Sequence, residues 1–445
     1  MATHTLKAAP KGEAAQEIAP MAWPARLLWL EPFWVGGMAL LVLLPEHLPV
    51  PIPYPWLVVG LFFFWPLRWL SGRPLLTGTS MDVFLALFLL WLPIPLWLSV
   101  ERAHSWQAVG LNLAGVAAAV ALLHWPPSQK QPLIPTLLLA AVSLALALAS
   151  PYLVRSAPQK LFAAPSWQTD VTAQSALLGE TVNPNVLAGA LILPVPLLAA
   201  LSLQRRRGAF RLLSVLWALP TAILIAATIL TQSRGAYAGL ASGLWVVFLL
   251  QWPRWRYGWI GLLVAGLGLL IWWGPSQFLD QSAYVGTVDS FAGRMEIWSR
   301  AWTALQDFPL TGLGPGLFGV LMPRLYPYFS FSTAAQIPHA HNLYLQVVLD
   351  LGLPGLMGYS GIIITSFILL SRVLKSNATG GARGLAIGAL GAQVAILIHG
   401  LTDAALWSAK LAWMPWLLPV IAVLLYQKTE EKSTYKSTIK GKLND

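Results

Sequence analysis

The sequence contains no cysteine, and only 10% of its 445 residues are charged. Without cysteine, the chain has no disulfide, no thiolate metal ligand and no thiol nucleophile. Soluble domains carry about a quarter charged residues, so this composition excludes an ordinary soluble enzyme. Intrinsic disorder is excluded as well, because disordered chains have high charge and few aromatic residues, whereas this chain has 23 tryptophans.

Long apolar runs fill most of the chain, and hydrophobic residues make up 57% of it. Runs of about 18 to 20 apolar residues recur, and each is long enough to cross about 30 Å of hydrocarbon as a helix. The sequence therefore predicts an all-α polytopic membrane protein with about 12 transmembrane helices. The predicted spans are residues 27–44, 54–70, 82–99, 107–123, 132–150, 185–203, 212–230, 235–251, 257–273, 352–371, 384–402 and 411–426.

The distribution of basic residues predicts the orientation of these spans. Cytoplasmic loops hold an excess of Lys and Arg, and placing the basic tail at 427–445 in the cytoplasm puts most of the 28 Lys and Arg residues on that side. The polar tail at 1–26 has no apolar core typical of a signal peptide, so both termini are predicted to be cytoplasmic and residues 27–426 to form one transmembrane domain. The net charge of +11 then favours anionic membrane lipids as partners and not nucleic acid.

Two loops on the predicted outer side, 151–184 and 274–340, are longer than a simple turn. Loops longer than about 12–15 residues are usually functional or disordered. The second loop, between predicted helices 9 and 10, carries apolar residues at helical intervals and is expected to contain interfacial helices. These apolar residues are Phe291, Met295, Ile297, Trp298, Trp302 and Leu305.

Glycines at regular spacing indicate close backbone packing in two places. Gly235, Gly239 and Gly243 are four residues apart, a spacing that lets membrane helices approach each other closely. The same spacing recurs at Gly380, Gly384 and Gly388. A third group permits tight turns or close approach to a ligand in the second outer loop, or forms a simple connector; its members are Gly312, Gly314, Gly316 and Gly319.

The outer side lacks paired carboxylates but carries cations and histidines. A metal-dependent glycosyltransferase needs hard oxygen ligands, so the absence of a DxD motif disfavours that class. Arginine grips phosphate through two hydrogen bonds, and neutral histidine accepts a proton at physiological pH. Such a set suits a reaction in which a hydroxyl attacks a carbon that bears a diphosphate leaving group. The candidates are Arg234, Arg294, Arg300, Arg324, His339 and His341.

The spacing of His339 and His341 also permits a two-histidine metal site. Third and fourth ligands are not evident nearby in the sequence. The sequence therefore predicts neither a metal nor another cofactor.

The segment PHAHNLYLQVVLDLGLPGL resembles the signature of the O-antigen ligase and O-antigen polymerase superfamily. In that signature, His followed by Asn, Ser or Gln is separated by nine residues from Gly-x-x-Gly, Gly-x-x-Thr or Gly-x-x-Tyr. Here His341-Asn342 is followed by nine residues and then by Gly352 and Gly355. The segments SRGAYAGL and GRMEIWSRAW, together with the large outer loop, also resemble the family, and the resemblance extends over about residues 180–405.

This resemblance implies a glycosyltransferase in the inner membrane that needs no metal. Such an enzyme takes a glycan from an undecaprenyl-diphosphate carrier on the outer face of the membrane and joins it to the hydroxyl of a lipid- or protein-linked acceptor, as in lipopolysaccharide biosynthesis. His341 matches the family histidine, Arg234 the arginine after the seventh span and Arg294 the arginine of the long loop. We expect His341 to take the acceptor proton while the two arginines hold the diphosphate.

Further residues are expected to contribute to substrate binding. Trp298 and Trp302 either line a lateral apolar opening for the polyprenyl carrier or anchor the loop at the interface. Asp403 is expected to pair with one of the arginines, and His339 to orient the turn that precedes His341. Substrate contacts are also expected from Arg300, Arg324 and Asn342.

The sequence leaves two other functions open. A polysaccharide polymerase uses the same chemistry, with another carrier-linked repeat as the acceptor. A secondary transporter, as in relatives labelled bicarbonate transporters, requires ionisable groups near the bilayer midplane and broken helices. Prolines at 93, 95, 194, 196 and 220 could kink predicted spans, but the central parts of these spans contain almost no acidic residues.

Overall fold

The computed structural model describes residues 26–45, 52–153, 183–204, 211–273, 291–331, 337–376, 378–407 and 409–444. Every regular element in these residues is helical, which confirms the predicted all-α class. Most of the first predicted outer loop, 151–184, and residues 274–290 of the second lie outside the described part of the chain.

The α-helices follow one another along the chain as α1 to α18. The first half contains α1 (Glu31–Leu43), α2 (Tyr54–Leu61), α3 (Trp65–Leu70), α4 (Asp82–Trp91), α5 (Pro93–Leu98), α6 (Arg102–His124), α7 (Pro126–Lys130), α8 (Ile134–Leu153), α9 (Pro184–Ile192) and α10 (Val195–Ser202). The second half contains α11 (Arg211–Leu230), α12 (Arg234–Gln251), α13 (Arg256–Trp273), α14 (Phe291–Asp307), α15 (Phe318–Leu325), α16 (Leu343–Lys375), α17 (Gly380–Gly400) and α18 (Leu417–Asn444).

Several of these helices are long and apolar enough to cross a membrane. Among the described residues there are four such helices, or up to five if the bent pair Arg234–Gln251 and Pro253–Gly266 forms one span. The four are Arg102–His124, Pro184–Ser202, Leu343–Lys375 and Gly380–Gly400. Shorter apolar helices at Leu28–Leu43, Asp82–Leu98, Ile134–Ser150 and Ser214–Leu230 coincide with other predicted spans. The chain is a multi-pass membrane protein, and the count of about twelve spans stays a prediction.

Besides the span at 54–70, which divides into α2 and α3, two predicted spans are interrupted at proline residues. The span at 82–99 divides into α4 and α5, with Pro93 at the start of α5. The span at 185–203 divides into α9 and α10, with Pro194 capping α10. Proline lacks the N–H of a helical hydrogen bond and clashes with the preceding turn, which explains both breaks. Pro220, in contrast, lies inside the continuous helix α11.

Helices α12 and α17 pack against each other through the predicted glycine face. A Cβ at Gly239 would overlap the Ala395 carbonyl oxygen, and one at Gly243 would overlap the Gly391 carbonyl oxygen. Gly388 of α17 contacts the backbone of α10 at Leu197 in the same way. Small residues therefore let three backbones approach closely, as the spacing predicted.

Helix α16 differs from the predicted span at 352–371, because it begins at Leu343 and contains a break at Gly352, where φ is 69°. The segment after α14 packs on this break. Leu353 donates its N–H to the Pro309 carbonyl (2.9 Å), and Leu313 donates to the Leu349 carbonyl (2.6 Å). A Cβ at Gly352 would overlap the Leu310 carbonyl oxygen. The first glycine of the signature is thus required where this segment lies against the helix.

The amphipathic helix predicted in the second outer loop is present as α14, over Phe291–Asp307. Ile297, Ala301 and Ala304 form its fully buried stripe, in a core shared with Phe318 and Leu349. Of the apolar residues that predicted the helix, Met295 and Trp302 are exposed.

Residues predicted to lie on the cytoplasmic side come together at one end of the helical bundle. Lys428 of α18 donates to the Lys130 carbonyl (2.7 Å), and Gln427 donates to the Thr77 carbonyl (3.0 Å). Near this end, buried Arg68 and Glu31 form an ion pair with an Nε–Oε1 distance of 2.8 Å. The candidate histidines lie at the other end, where α16 begins and α17 ends.

Candidate functional site

His341 and Asp403 form the centre of the site. His341 Nδ1 lies 3.5 Å from Asp403 Oδ2, and both side chains are buried. His341 stands two residues before α16, and Asp403 stands three residues after α17. The contact is at the long end for a hydrogen bond, as catalytic contacts often are before substrate binds.

The backbone at His341 has an unusual conformation. Its φ is 47°, and Gln232, with φ of 57°, is the other non-glycine residue with positive φ in the described part of the chain. Such conformations cost about 1–3 kcal/mol and occur where the surrounding structure enforces them, often at functional sites. One strained residue is thus the candidate His341 itself, and the other, Gln232, lies two residues before the candidate Arg234.

Asn342 fixes the start of α16. Its Oδ1 accepts hydrogen bonds from the N–H groups of Tyr344 and Leu345, each at 3.0 Å, which is a helix N-cap. Its Nδ2 donates to the Leu401 carbonyl at 3.1 Å. The residue expected to contact substrate therefore ties the start of α16 to the segment that carries Asp403.

A second histidine and an asparagine complete the surroundings of Asp403. His339 Nε2 lies 3.9 Å from Asp403 Oδ1, and the rings of His339 and His341 are 4.2 Å apart. Asn185 of α9 donates from Nδ2 to Asp403 Oδ2 at 2.7 Å. The described partners of Asp403 are thus two imidazoles and an amide, and its expected pairing with an arginine stays a prediction.

The electrostatics of the cluster favour an ionised carboxylate and a neutral His339. Burial raises the pKa of the Asp403 carboxyl, but the contact with His341 and the nearby imidazoles outweigh it, so that the pKa lies well below its usual range. Burial lowers the pKa of His339 to about 4; Asp403 opposes this shift, and the charges of His341 and Arg294 add to it. At neutral pH the site holds an anion beside an uncharged imidazole.

Hydrogen bonding indicates which ring nitrogens carry protons. The backbone N–H of His341 donates to His339 Nδ1 at 3.3 Å. The neutral His339 ring therefore carries its proton on Nε2. His341 Nδ1 faces the Asp403 carboxylate, which favours the proton on that nitrogen. His341 Nε2 is then left as a lone-pair base.

A polar network holds the two sides of the site together. Asp350 of α16 accepts hydrogen bonds from Trp407 Nε1 (2.8 Å) and Gln346 Nε2 (2.9 Å). Gln346 Oε1 in turn accepts the N–H of Ala340 at 2.8 Å. Ala340, which precedes His341, and Trp407, which lies near Asp403 in the chain, are thereby joined through the buried Asp350 carboxylate.

The two candidate catalytic arginines reach this region on different helices. Arg294, on α14, is close enough for its charge to lower the pKa of His339. Its helix is fixed to the histidine segment, because Trp298 Nε1 donates to the Ala340 carbonyl at 3.0 Å. Arg234 begins α12 and is exposed, and a Cβ at the adjacent Gly235 would overlap the Thr402 hydroxyl, next to Asp403.

The remaining candidates make no hydrogen bond or ion pair with the histidines among the described residues. Arg300 stacks over the Phe329 ring at 4.6 Å, and Arg324 is exposed in the last turn of α15. Neither makes an ion pair with Asp403 in the described residues. Trp302 is also exposed, whereas Trp298 donates a hydrogen bond to the Ala340 carbonyl.

The cluster also contains groups that could bind a metal ion. His339, His341 and Asp403 each offer a ligand atom, and these atoms lie within 4.8 Å of one another. A zinc ion requires lone pairs from its imidazole ligands at about 2.0–2.1 Å. The His339 nitrogen that faces Asp403 carries a proton in the hydrogen-bonded arrangement, so this conformation fits proton handling better than metal coordination.

Sequence reasoning missed Asn185 and gave no role to His399, which is buried within α17 close to Asp403. Asn185 lies in the segment NPN, where Asn183 caps α9. That capping pattern marks a helix start and does not reveal a partner 218 positions along the chain. The position of Asn185, a polar residue at the outer end of a predicted span, was the sequence signal that could have indicated a site residue.

The fold and the site together define a multi-pass, all-helical membrane protein with a histidine–carboxylate centre near one end of its bundle. Residues 219–360 match the family model described as O-antigen ligase. This match places that part of the chain in the O-antigen ligase superfamily and confirms the resemblance seen in the sequence. It supports a role as an enzyme that uses lipid-linked glycans and acceptor substrates. No curated protein matches the chain.

Proposed function

We propose that the protein is a metal-independent glycosyltransferase of the O-antigen ligase type. It transfers a glycan from undecaprenyl diphosphate to an acceptor hydroxyl on the outer face of the cytoplasmic membrane. The observation that carries this proposal is the buried pair of His341 and Asp403, with the charge of Arg294 close by. The family match over residues 219–360 supports it independently.

His341 acts as the general base of the reaction. The acceptor oxygen bonds to the sugar carbon attached to the diphosphate, and its proton passes to His341 Nε2. Asp403 orients the ring through Nδ1 and stabilises the imidazolium that forms. Asn185 positions the carboxylate by its hydrogen bond of 2.7 Å.

The arginines stabilise the leaving group. As the carbon–oxygen bond breaks, the diphosphate departs with the bonding electrons and its negative charge increases. Arg294 and Arg234 neutralise this charge through paired hydrogen bonds. Because diphosphate leaves readily, the reaction needs no general acid.

The membrane arrangement is part of the proposal. About twelve spans, with both termini in the cytoplasm, place the histidine cluster at the outer leaflet, where a polyprenyl-linked donor presents its head group. The clustering of Lys130, Lys428 and Arg68 at the other end of the bundle supports this orientation. Trp298 and the exposed Trp302 would then flank the donor's lateral path.

A reconstitution experiment tests the proposal. Purified protein in liposomes receives an undecaprenyl-diphosphate glycan with lipid- or protein-linked acceptors, and product is measured with and without EDTA. We expect His341→Ala to lower the rate by about 10²–10⁴ and Arg294→Ala by about 10²–10³, with EDTA having no effect. Arg102→Ala, which removes an exposed arginine stacked on Trp97, is the matched control.

Three results would overturn parts of this proposal. Full activity in His341→Ala removes the assigned base, and loss of activity in EDTA removes the metal-free mechanism. Carrier-linked products that lengthen when the donor is the only glycan substrate would identify a polymerase, the alternative with the same chemistry.

A further inference from the structure

A polar cavity lies at the opposite end of the bundle from the histidine cluster. Its volume is about 790 Å³, within the range of about 300–1,000 Å³ typical of ligand sites. The residues that give it chemical character are Arg26, Arg68, Arg73, His124, Glu430 and Glu431.

The separation of this cavity from the candidate active site follows from α6. Ser105, in the first turn of α6, donates to the Pro315 carbonyl at 2.8 Å, in the segment that packs on α16. His124, the last residue of the same helix, lines the cavity. A rise of 1.5 Å per residue places the two about 29 Å apart. The cavity therefore lies near the other boundary of the apolar layer.

The cavity lining separates its charges by element. The arginines belong to the N-terminal segment and to the region around α3, whereas Glu430 and Glu431 belong to α18. Arg68 is buried and held by Glu31, which compensates its charge. Arg26 and Arg73 remain as exposed cations, and the two exposed glutamates balance them. The lining is thus bipolar, with little net charge.

Aromatic residues mark the opening of the cavity as an interfacial position. Trp29 lines the cavity, and its ring lies 5.4 Å from Phe33 and 6.0 Å from Trp125. Trp29 is 47% exposed. Tryptophan is enriched at the level of lipid headgroups, so the occupant reaches this cavity from the membrane.

We propose that this cavity binds the headgroup of a phosphoethanolamine lipid. The phosphate is held by Arg26 and Arg73, and the ammonium is held by Glu430 and Glu431. Arginine suits a phosphate because it donates two parallel hydrogen bonds. An anionic lipid without an amine leaves the glutamates unpaired, and a choline headgroup cannot donate hydrogen bonds to them. The bipolar lining therefore selects a headgroup that carries both a phosphate and a primary ammonium.

The bound lipid would join the N-terminal helices to α18. Arg26 and Arg73 come from the N-terminal part of the chain and Glu430 from α18, so an occupied cavity stabilises their association. A ligand that binds only the folded protein raises its apparent stability by mass action. This inference does not depend on glycosyl transfer.

Lipid binding to the purified full-length chain tests the inference. The protein is delipidated in detergent and exposed to phosphatidylethanolamine, phosphatidylcholine or phosphatidylglycerol; retained lipid is counted by native mass spectrometry, and the apparent Tm is measured. We expect phosphatidylethanolamine to bind at least tenfold more tightly than the other two and to raise the apparent Tm. Soluble glycerophosphoethanolamine serves as a headgroup without acyl chains and is expected to bind more weakly than the lipid.

Variants assign the two parts of the cavity. We expect Arg73→Ala to weaken phosphatidylethanolamine binding at least tenfold, and the double variant Glu430→Gln with Glu431→Gln to abolish the preference over phosphatidylcholine. Arg102→Ala, at the other end of α6, is the control and should bind as the wild type does. The glutamine variant keeps the test informative if Arg73→Ala does not fold. Equal binding of the three lipids, preference for phosphatidylglycerol, or unchanged binding in the glutamine variant would overturn the inference.

Discussion

At the residue scale, the site depends on the position of one imidazole. His341 has a positive φ, is followed by a residue that caps α16 and ties it to Leu401, and faces a carboxylate held by Asn185. A strained backbone persists only where the surrounding contacts enforce it. These contacts come from three helices, α9, α16 and α17, so the position of the ring is a property of the assembled bundle.

Replacing Asp403 by Asn tests the role of the carboxylate. The amide keeps the shape of the side chain and one acceptor oxygen but loses the charge that favours imidazolium. We expect kcat of the proposed transfer to fall by about 10²–10⁴, with little change in KM. Steady-state kinetics in the reconstituted system provide the measurement.

Asn185→Ala is the graded companion to that variant, because it removes one hydrogen bond to Asp403 and leaves the charge. It should lower kcat less than Asp403→Asn does. A carboxylate that merely stabilises the fold would lower the amount of folded protein in both variants and leave kcat per folded molecule unchanged.

Stability should fall on mild acidification because of His339. Its pKa is lowered to about 4 in the folded protein, whereas an unfolded histidine titrates near 6.5. Between these values the unfolded chain binds a proton that the folded protein does not, so stability decreases as pH falls from 6.5 towards 4. The expected loss at pH 5 is about 2 kcal/mol, measured as a drop in apparent Tm between pH 7 and pH 5.

His339→Asn should reduce this pH dependence, since it removes one of the titrating groups. His104→Asn is the matched control, because His104 is exposed. A wild-type apparent Tm that does not change between pH 7 and pH 5 would contradict the burial of a neutral His339.

The sequence identified several residues of the site but not their partners. The signature led to His341, and the resemblance of the loop led to Arg294, which lies close to His339. The contact of Asp403 with both histidines could not be predicted, because it depends on how the end of α17 faces the start of α16. The expected arginine partner of Asp403 stays a prediction, because a carboxylate near a span end gives no indication of which neighbour it meets.

At the scale of elements, α16 explains the fixed spacing in the signature. The histidine precedes the helix, and Gly352 breaks it. At this break Leu353 donates its N–H to the Pro309 carbonyl, and Leu313 donates its N–H to the Leu349 carbonyl. The nine residues between the His-Asn pair and Gly352 place the break opposite Pro309 and Leu310. The signature thus encodes a contact between a helix and a loop as well as the proposed general base.

Gly352→Ala should severely destabilise the protein. The substitution imposes a positive φ on alanine, which costs about 1–2 kcal/mol, and its Cβ would overlap the Leu310 carbonyl oxygen. Gly380→Ala is the control, because Gly380 also has a positive φ but no described neighbour lies within 4 Å of the place its added methyl group would take. We expect Gly380→Ala to lower apparent Tm slightly and Gly352→Ala to prevent accumulation of folded protein, as judged by size-exclusion chromatography.

The predicted helix ends were least accurate where a helix continues into a polar segment. The hydropathy signal for α16 began at 352, yet the helix starts at Leu343 because Asn342 caps it. The helix α18 likewise continues through the basic tail to Asn444. Periodicity did predict α14, and small-residue spacing did predict that α12 packs closely on a neighbouring helix, since both patterns reflect direct contacts.

At the scale of the whole molecule, the absence of cysteine makes the proposed orientation easy to test. Arg324→Cys and Lys432→Cys each introduce a single thiol at an exposed position, one at the end with the histidines and one on α18. A membrane-impermeant maleimide should label Arg324→Cys in intact cells and Lys432→Cys only after permeabilisation, because basic segments remain in the cytoplasm. The reverse pattern would place the histidine cluster on the cytoplasmic side.

Both ring nitrogens of His341 are shielded from solvent and lack a well-formed hydrogen bond to any residue in the described part of the chain. Water is the smallest competing nucleophile for a diphosphate-activated sugar, and an exposed base would activate it at every encounter. With the base closed off until an acceptor opens the pocket, hydrolysis of the waiting donor should be slow. Fidelity towards the acceptor would then come from occlusion as much as from recognition.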